Sequence, residues 1–322
     1  MGLNYFDRNP YLSRNGTIEH REGKGTVIVI DETIDFIKKH KDGNQPLFAV
    51  AWFPSPHYPH AEVPDGPKMY EGRPHPGYYS EITLLDQQLG RLRDALRSMD
   101  IADNTILWYC SDNGGLIEWS SGGRGMKGSI YEGGLRVPSI VEWPAKKLSG
   151  RSNVTATTSD MMPTLLRMAE IEVKLPHPLD GQDLCGVIAG REQERKQGIG
   201  FWHGVGKGHK VHSDTVLKAY LEKQTAGAPL PYDKERLMLD VNDTTKVPED
   251  MAQGHAAWND WPYKLHRING ETYELYNLAT DPEETINLVD DPAQQARFNE
   301  MKQALGDWMQ SAIRSLNGED YD

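Results

Sequence analysis

Three short stretches combine residue types that could do chemistry. Ser111-Asp112-Asn113-Gly114-Gly115 sets a carboxylate beside an amide on a tight turn. Two hard oxygen donors side by side suit a Ca²⁺ or Mg²⁺ ion, although the same triplet also serves as a plain turn. Pro56-His57-Tyr58-Pro59-His60 carries two imidazoles on a loop stiffened by prolines. That suits a positioned proton donor or ligand; the prolines forbid a helical histidine pair, and a surface loop is the plainer reading. Residues 125–134 (GMKGSIYEGG) place Lys127 among glycines. There an ammonium and nearby amides can approach an oxyanion closely. The G-x-x-x-x-G-K-[ST] order of a P-loop is absent, and a flexible surface loop is the alternative.

The elements around these stretches explain why they could meet. Residues 31–40 (DETIDFIKKH) read as a helix capped by Asp31, and 47–53 (LFAVAWF) as a short buried strand. A Pro- and His-rich loop runs over 54–76. A long amphipathic helix then spans 78–99, with Ile82, Leu85, Leu89, Leu92 and Leu96 at helical spacing. Residues 105–110 (TILWYC) form a second buried strand. Strand, helix, strand implies a parallel pair, and sites in such sheets lie at the carboxyl ends of strands. Both 54–60 and 111–115 fall there.

Further along, 137–143 reads as a strand, and 160–169 as a helix capped by Ser159 or Asp160 with Pro163 in its first turn. Beyond about 191 the strands become short. Residues 263–268 and 271–277 flank Asn269-Gly270, a hairpin signal, and 292–316 closes the chain as a helix. These changes divide the chain into residues 1–195 and a C-terminal subdomain, 196–322. Trp202, His203, His209 and His212 could line a sugar-binding rim, or belong to a polar loop.

Composition narrows the class. Of the 322 residues, 38% are hydrophobic and 25% charged, and no window approaches a membrane span. The net charge of −12 disfavours nucleic acid as a partner, so an anionic substrate needs a local positive site such as 122–127. Cys110 and Cys185 form neither a disulfide framework nor a zinc spacing. The first residues, MGLNYFDRNPYLSRNG, hold no apolar signal core, and the compartment is left open.

The stretches in combination carry more than each alone. A Pro-His loop, the helix YSEITLLDQQLGRLRDAL, a strand ending SDNGG, GMKGSIYEGGLRVPSIVEWP, TTSDMMPTLL, LDGQDL and ELYNLATDPEETINL occur in that order. The chain thereby resembles the C-terminal two-thirds of type I, formylglycine-dependent sulfatases, of the alkaline-phosphatase-like superfamily. The resemblance implies an α/β sandwich: a mostly parallel sheet between helices, its N-terminal strands missing, plus a small antiparallel sheet with a packed helix. It implies hydrolysis of sulfate monoesters, on a small-molecule or carbohydrate sulfate ester. Asp112 and Asn113 look like two ligands of the family's Ca²⁺ (Mg²⁺ is the lesser fit), Asp112 also standing beside the formylglycine. Lys127 looks like the lysine that bridges a sulfate oxygen and the leaving oxygen, and His57 like the histidine that contacts the departing ester oxygen. Arg124 is read as steering the anion; His60, Glu132 and Arg136 are read as structural.

The family's C/S-x-P/A-x-R nucleophile motif, its paired aspartates and its Lys-x-His pair do not occur in these 322 residues. Residues 6–30 resemble the stretch that follows the nucleophile region, as a truncated gene model or split fragment would. Two other readings stay open: a phosphodiester or phosphonate monoester hydrolase of the same superfamily, and a non-catalytic remnant that binds sulfated ligands. A sheet without its first strands would expose an edge through which copies could associate.

Overall fold

The computed structural model describes residues 11–15, 17–60, 63, 66–175, 177–203, 226, 254–317 and 319. They fall into two compact units, one holding the described residues up to Thr105 together with residue 226, the other the rest from Ile106.

In the first unit, β1 (Tyr11–Arg14) and β2 (Thr17–His20) form an antiparallel hairpin. Helix α1 (Gly25–His40) follows, then the short α2 (Gly66–Met69) and the long α3 (Pro76–Ser98). Helix α1 starts at Gly25 rather than at an Asp31 cap, because the VIVI run lies within it and buries Ile28 and Ile30. Helix α3 has Pro76 in its first turn, where a missing N–H costs nothing. Its buried face is Tyr78, Leu84, Leu85, Leu92 and Leu96, while Ile82 is exposed. The expected stripe is thus rotated.

Residues 47–53 do not form the expected buried strand. They form no helix or strand among the described residues, and leave Phe48 73% and Trp52 71% exposed. An apolar run becomes a buried strand only when neighbours cover its edges and faces.

The second unit opens with β3 (Leu107–Cys110), α4 (Glu132–Leu135) and β4 (Ser139–Glu142). Strands β3 and β4 pair antiparallel, from Leu107↔Glu142 to Cys110↔Ser139. The parallel partner expected for β3 is not formed among the described residues. Helix α5 (Met161–Met168) is preceded by a 3-10 turn, Thr158–Asp160, closed by a Thr157/Asp160 capping box. Asp160 makes no side-chain cap bond to α5 itself; its carboxylate closes the preceding 3-10 turn instead. It is fully buried and accepts from the N–H groups of Thr157 and Gln182 at 2.8 Å each and from Arg195 at 2.6 and 2.9 Å. One carboxylate therefore ties TTSDMMPTLL to LDGQDL and to the chain beyond α6 (Cys185–Ile188).

The four-stranded antiparallel sheet comprises β5 (Ile199–His203), β6 (His255–Asp260), β7 (Tyr263–Asn269) and β8 (Thr272–Asn277), in that order. The β7–β8 hairpin lies where expected, but Asn269 pairs with Thr272, so the turn is Gly270-Glu271, with Gly270 at φ 53° and an irregularity between Arg267 and Asn269. One face packs on α7 (Gln295–Leu316), whose Met301, Leu305, Met309 and Ile313 recur every four residues and are buried. They meet Ala256, Leu265 and Leu275, with Trp202, Trp258 and Trp308 at the margin. Trp202 therefore packs at this core rather than lining a sugar rim. His203 ends β5, exposed, and His209 and His212 lie outside the described residues. No helix among the described residues is long and apolar enough to cross a membrane.

Candidate active site

His57 belongs to the first unit, and a buried carboxylate positions its loop. Glu81 on α3 is 1% exposed and accepts from Lys24 Nζ on one oxygen and from Ser55 Oγ on the other. Ser55 Oγ also lies 2.6 Å from Thr26 Oγ1 of α1. The loop thus leaves from a fixed point between the two helices. The His57 N–H donates to the Pro54 carbonyl at 3.0 Å, and its Nδ1–H donates to the Tyr58 carbonyl at 2.5 Å. That bond puts the proton on Nδ1. The ring is exposed. His60 packs instead against Tyr58 and Tyr78, consistent with a structural part.

Asp112, Asn113, Arg124 and Lys127 share one backbone frame in the second unit. The Gly114 N–H donates to the Gly134 carbonyl and the Lys127 N–H to the Gly115 carbonyl, both at 2.8 Å. The Gly115 N–H donates to Ser121 Oγ at 2.7 Å, and the Gly133 N–H to the Arg124 carbonyl at 2.8 Å. These segments approach so closely that a Cβ on Gly114 would stand 2.0 Å from the Gly133 oxygen. The glycines flanking the DN pair and the loop lysine are thus a packing requirement. These bonds tie the turn after β3 to the lysine loop.

The Asp112 carboxylate and the Lys127 ammonium are exposed, and neither has a hydrogen-bond or ion-pair partner among the described residues. The Asn113 side chain likewise has none. A carboxylate and an amide oxygen held on a rigid turn are the right kind of donors for a hard cation. Two ligands fall short of the six to eight oxygens Ca²⁺ takes, and no group of three His, Cys, Asp or Glu among the described residues could hold a metal. The residues fit part of such a site. Arg124 is turned elsewhere: its guanidinium lies 4.0 Å over the Tyr131 ring, 3.3 Å from Tyr276 Oη and 3.6 Å from Glu274. The two cysteines are poor nucleophiles. Burial, then Asp112, raises Cys110, and burial, then Asp183, pushes Cys185 up to about 12.

Behind this frame lies a buried polar cluster that alternation along β7 and β8 concealed. Lys264 and His266 alternate with Leu265, as on a solvent-facing strand, yet both are fully buried. Lys264 Nζ donates to Glu132 at 2.7 Å and lies 3.1 Å from Glu284. His266 Nε2–H donates to Glu284 at 2.7 Å, and its Nδ1 accepts from His255 Nε2–H at 2.8 Å. The Tyr131 ring stacks on His266 at 4.6 Å, and its hydroxyl donates to Glu274 at 2.6 Å. Burial, then a hydrogen bond that each phenol donates to Glu274, pushes Tyr131 far up and Tyr276 to about 12. Glu132, read as structural, accepts from Lys264 in this cluster; Lys264, His266, Glu274 and Glu284 were not singled out.

Burial, then Lys264, lowers His255 to about 4 and His266 well below the ordinary value. Their unfolded counterparts take up a proton near pH 6.5, so the neutral pair stabilises the fold fully above that pH. The contribution is lost as pH falls from about 6.5 towards 4. For the half-exposed His255 it amounts to roughly 1–2 kcal/mol after screening. Thermal unfolding between pH 7 and 4 checks this: a midpoint that falls in wild type and is flatter in His255→Gln is expected.

The fold and these motifs agree with the comparisons. The family model described as Sulfatase matches residues 3–171. The chain belongs to the sulfatase family. It is 30% identical to human arylsulfatase H over 201 residues (57% of this chain, 34% of that protein). It is 28% identical to a sulfatase of Formosa agariphila over 296 residues (84% of this chain, 46% of that protein). It therefore spans less than half the length of these relatives. Among solved structures, Ps i-CgsB in complex with k-i-k-neocarrahexaose superposes with a TM-score of 0.71 at 21% identity, over 93% of this chain and 58% of that one. BT4656 in complex with its substrate D-glucosamine-2-N,6-O-disulfate gives 0.66 at 16%, over 98% and 74%. These superpositions establish the α/β sulfatase fold with its small antiparallel sheet and C-terminal helix.

Proposed function

We propose that this chain supplies part of the site of a sulfate monoester hydrolase. The observation that carries the reading is an unpaired carboxylate, Asp112, and an unpaired ammonium, Lys127, on one rigid glycine-packed frame in a member of the sulfatase family. Exposed charges are ordinary on a surface; what sets these two apart is that the Lys127 N–H is bonded to the Gly115 carbonyl at 2.8 Å, on the turn that carries Asp112.

Asp112 and Asn113 are assigned as two oxygen ligands of a divalent cation, Ca²⁺ before Mg²⁺ because the donors are a carboxylate and an amide on a turn. Such a cation offsets negative charge on sulfate oxygens. Lys127 holds a sulfate oxygen and the oxygen that leaves, where negative charge grows. His57 is assigned the departing ester oxygen on the family resemblance. Arg124 adds a positive field beside the loop, partly offset by Glu274. The substrate class is a small-molecule or carbohydrate sulfate ester, the latter favoured by the saccharide complexes of the two structural relatives. We assign residues 1–195 to the catalytic part and 196–322 to a C-terminal subdomain, and place any self-association at the exposed apolar segment 47–53.

The test is hydrolysis of a chromogenic aryl sulfate in Ca²⁺, with the chain alone and mixed with an N-terminal sulfatase portion carrying a C/S-x-P/A-x-R segment. Sulfate release in the mixture that drops about 10²- to 10³-fold with Lys127→Ala is expected. Faster cleavage of an aryl phosphonate monoester would favour the phosphoryl alternative. No turnover of either ester, with sulfated oligosaccharide still bound, would leave a binding remnant.

A further inference from the structure

We propose that Glu284 is a positioning residue for the Lys127 loop, tying the closing ELYNLATDPEETINL segment to the frame that presents Asp112 and Lys127. The assignment of a purpose to that tie rests on the reading of Lys127 as the residue that holds the sulfate.

Glu284 is fully buried and sits at φ 55°, in the left-handed region that a non-glycine residue avoids. The turn that holds it there is built by Asp281, whose carboxylate accepts from the N–H groups of Thr285 and Ile286 at 2.8 Å and from Thr285 Oγ1 at 2.9 Å. The Glu284 carboxylate then meets three groups, two by hydrogen bond and Lys264 as an ion pair at 3.1 Å. They are Lys264 Nζ and His266 Nε2–H from β7, and the Glu132 N–H at 2.6 Å from a position 152 residues earlier. Its own carbonyl lies 3.4 Å from Arg124.

That Glu132 N–H opens α4, so the bond lands on the loop's backbone. Directly after it come Gly133 and Gly134, whose N–H and carbonyl groups bond Arg124 and Gly114. A Cβ on Gly133 would stand 2.2 Å from the Gly125 oxygen, so no slack exists between Glu132 and the segment that carries Lys127. A shift of the Glu132 amide is passed on to Lys127. The charges support a local role: without Glu284, Lys264 still faces Glu132 at 2.7 Å, so the pair that remains is balanced.

The test is amide hydrogen exchange by mass spectrometry on the full chain, with Glu284→Ala and Glu284→Gln beside wild type. Loss of the charge-assisted acceptor is expected to speed exchange in 123–134 by about tenfold or more in the alanine variant. The glutamine variant, which can still accept one donor, should fall between alanine and wild type, a partial rescue. Exchange in 295–316 should stay at wild-type rates in both. An unchanged loop in Glu284→Gln, or an equal rise in 295–316, would overturn the proposal. Should Glu284→Ala not fold, the glutamine variant decides alone. Exchange is read without turnover, so a chain inactive on aryl sulfate leaves this result intact, and the hydrolysis assay fails or succeeds separately.

Discussion

Gly114→Ala is expected to destabilise the second unit by at least about 3 kcal/mol and to dislodge the Asp112–Asn113 turn. A methyl there would meet the Gly133 oxygen at 2.0 Å and the Gly134 Cα at 2.8 Å, both backbone atoms that no rotamer change can clear. Relief requires the two segments to part by more than 1 Å, which breaks the 2.8 Å bond from the Gly114 N–H to the Gly134 carbonyl. A displacement of that size at reacting groups costs about 10²-fold in rate. Urea unfolding measures the first effect. A variant within 1 kcal/mol of wild type would show that the frame is looser than its geometry implies.

Arg195→Met is expected to cost about 3 kcal/mol, the low end for breaking a buried ion pair. Arg195 is 8% and Asp160 0% exposed, and the guanidinium meets both carboxylate oxygens, so removal leaves a buried charge. Two backbone N–H donors, from Thr157 and Gln182, still support the carboxylate and keep the cost from rising further. The double variant with Asp160→Asn should cost clearly less than the sum of the two single changes, because both remove the same pair. Additive losses would mean that the pair contributes little.

The elements legible in the sequence are those whose signal is local. Helix α3 and helix α7 follow from apolar spacing, and the β7–β8 hairpin follows from its turn residues, although the loop proved to be Gly270-Glu271. Residues 47–53 were misread because burial of an apolar run depends on strands elsewhere, not on the run itself. Among the described residues β3 pairs with β4 rather than with a parallel partner, for the same reason. The Asp112, Asn113 and Lys127 stretches were found from residue type and glycine context. Their shared frame was not, since it rests on backbone bonds between 114–115 and 127–134 that leave no trace in spacing. Lys264, His266 and Glu284 were hidden because polar alternation on a strand looks solvent-facing until a loop covers it.

On this reading Asp112 and Asn113 are metal ligands and not merely a turn. Calorimetric titration of Ca²⁺ into the purified chain tests it most directly, with Asp112→Ala as the control. The account predicts one weak site, with a dissociation constant on the order of 10⁻⁴–10⁻³ M because the protein supplies few ligands, and no measurable heat in Asp112→Ala although that variant remains folded. Binding of equal strength in the two proteins would contradict it.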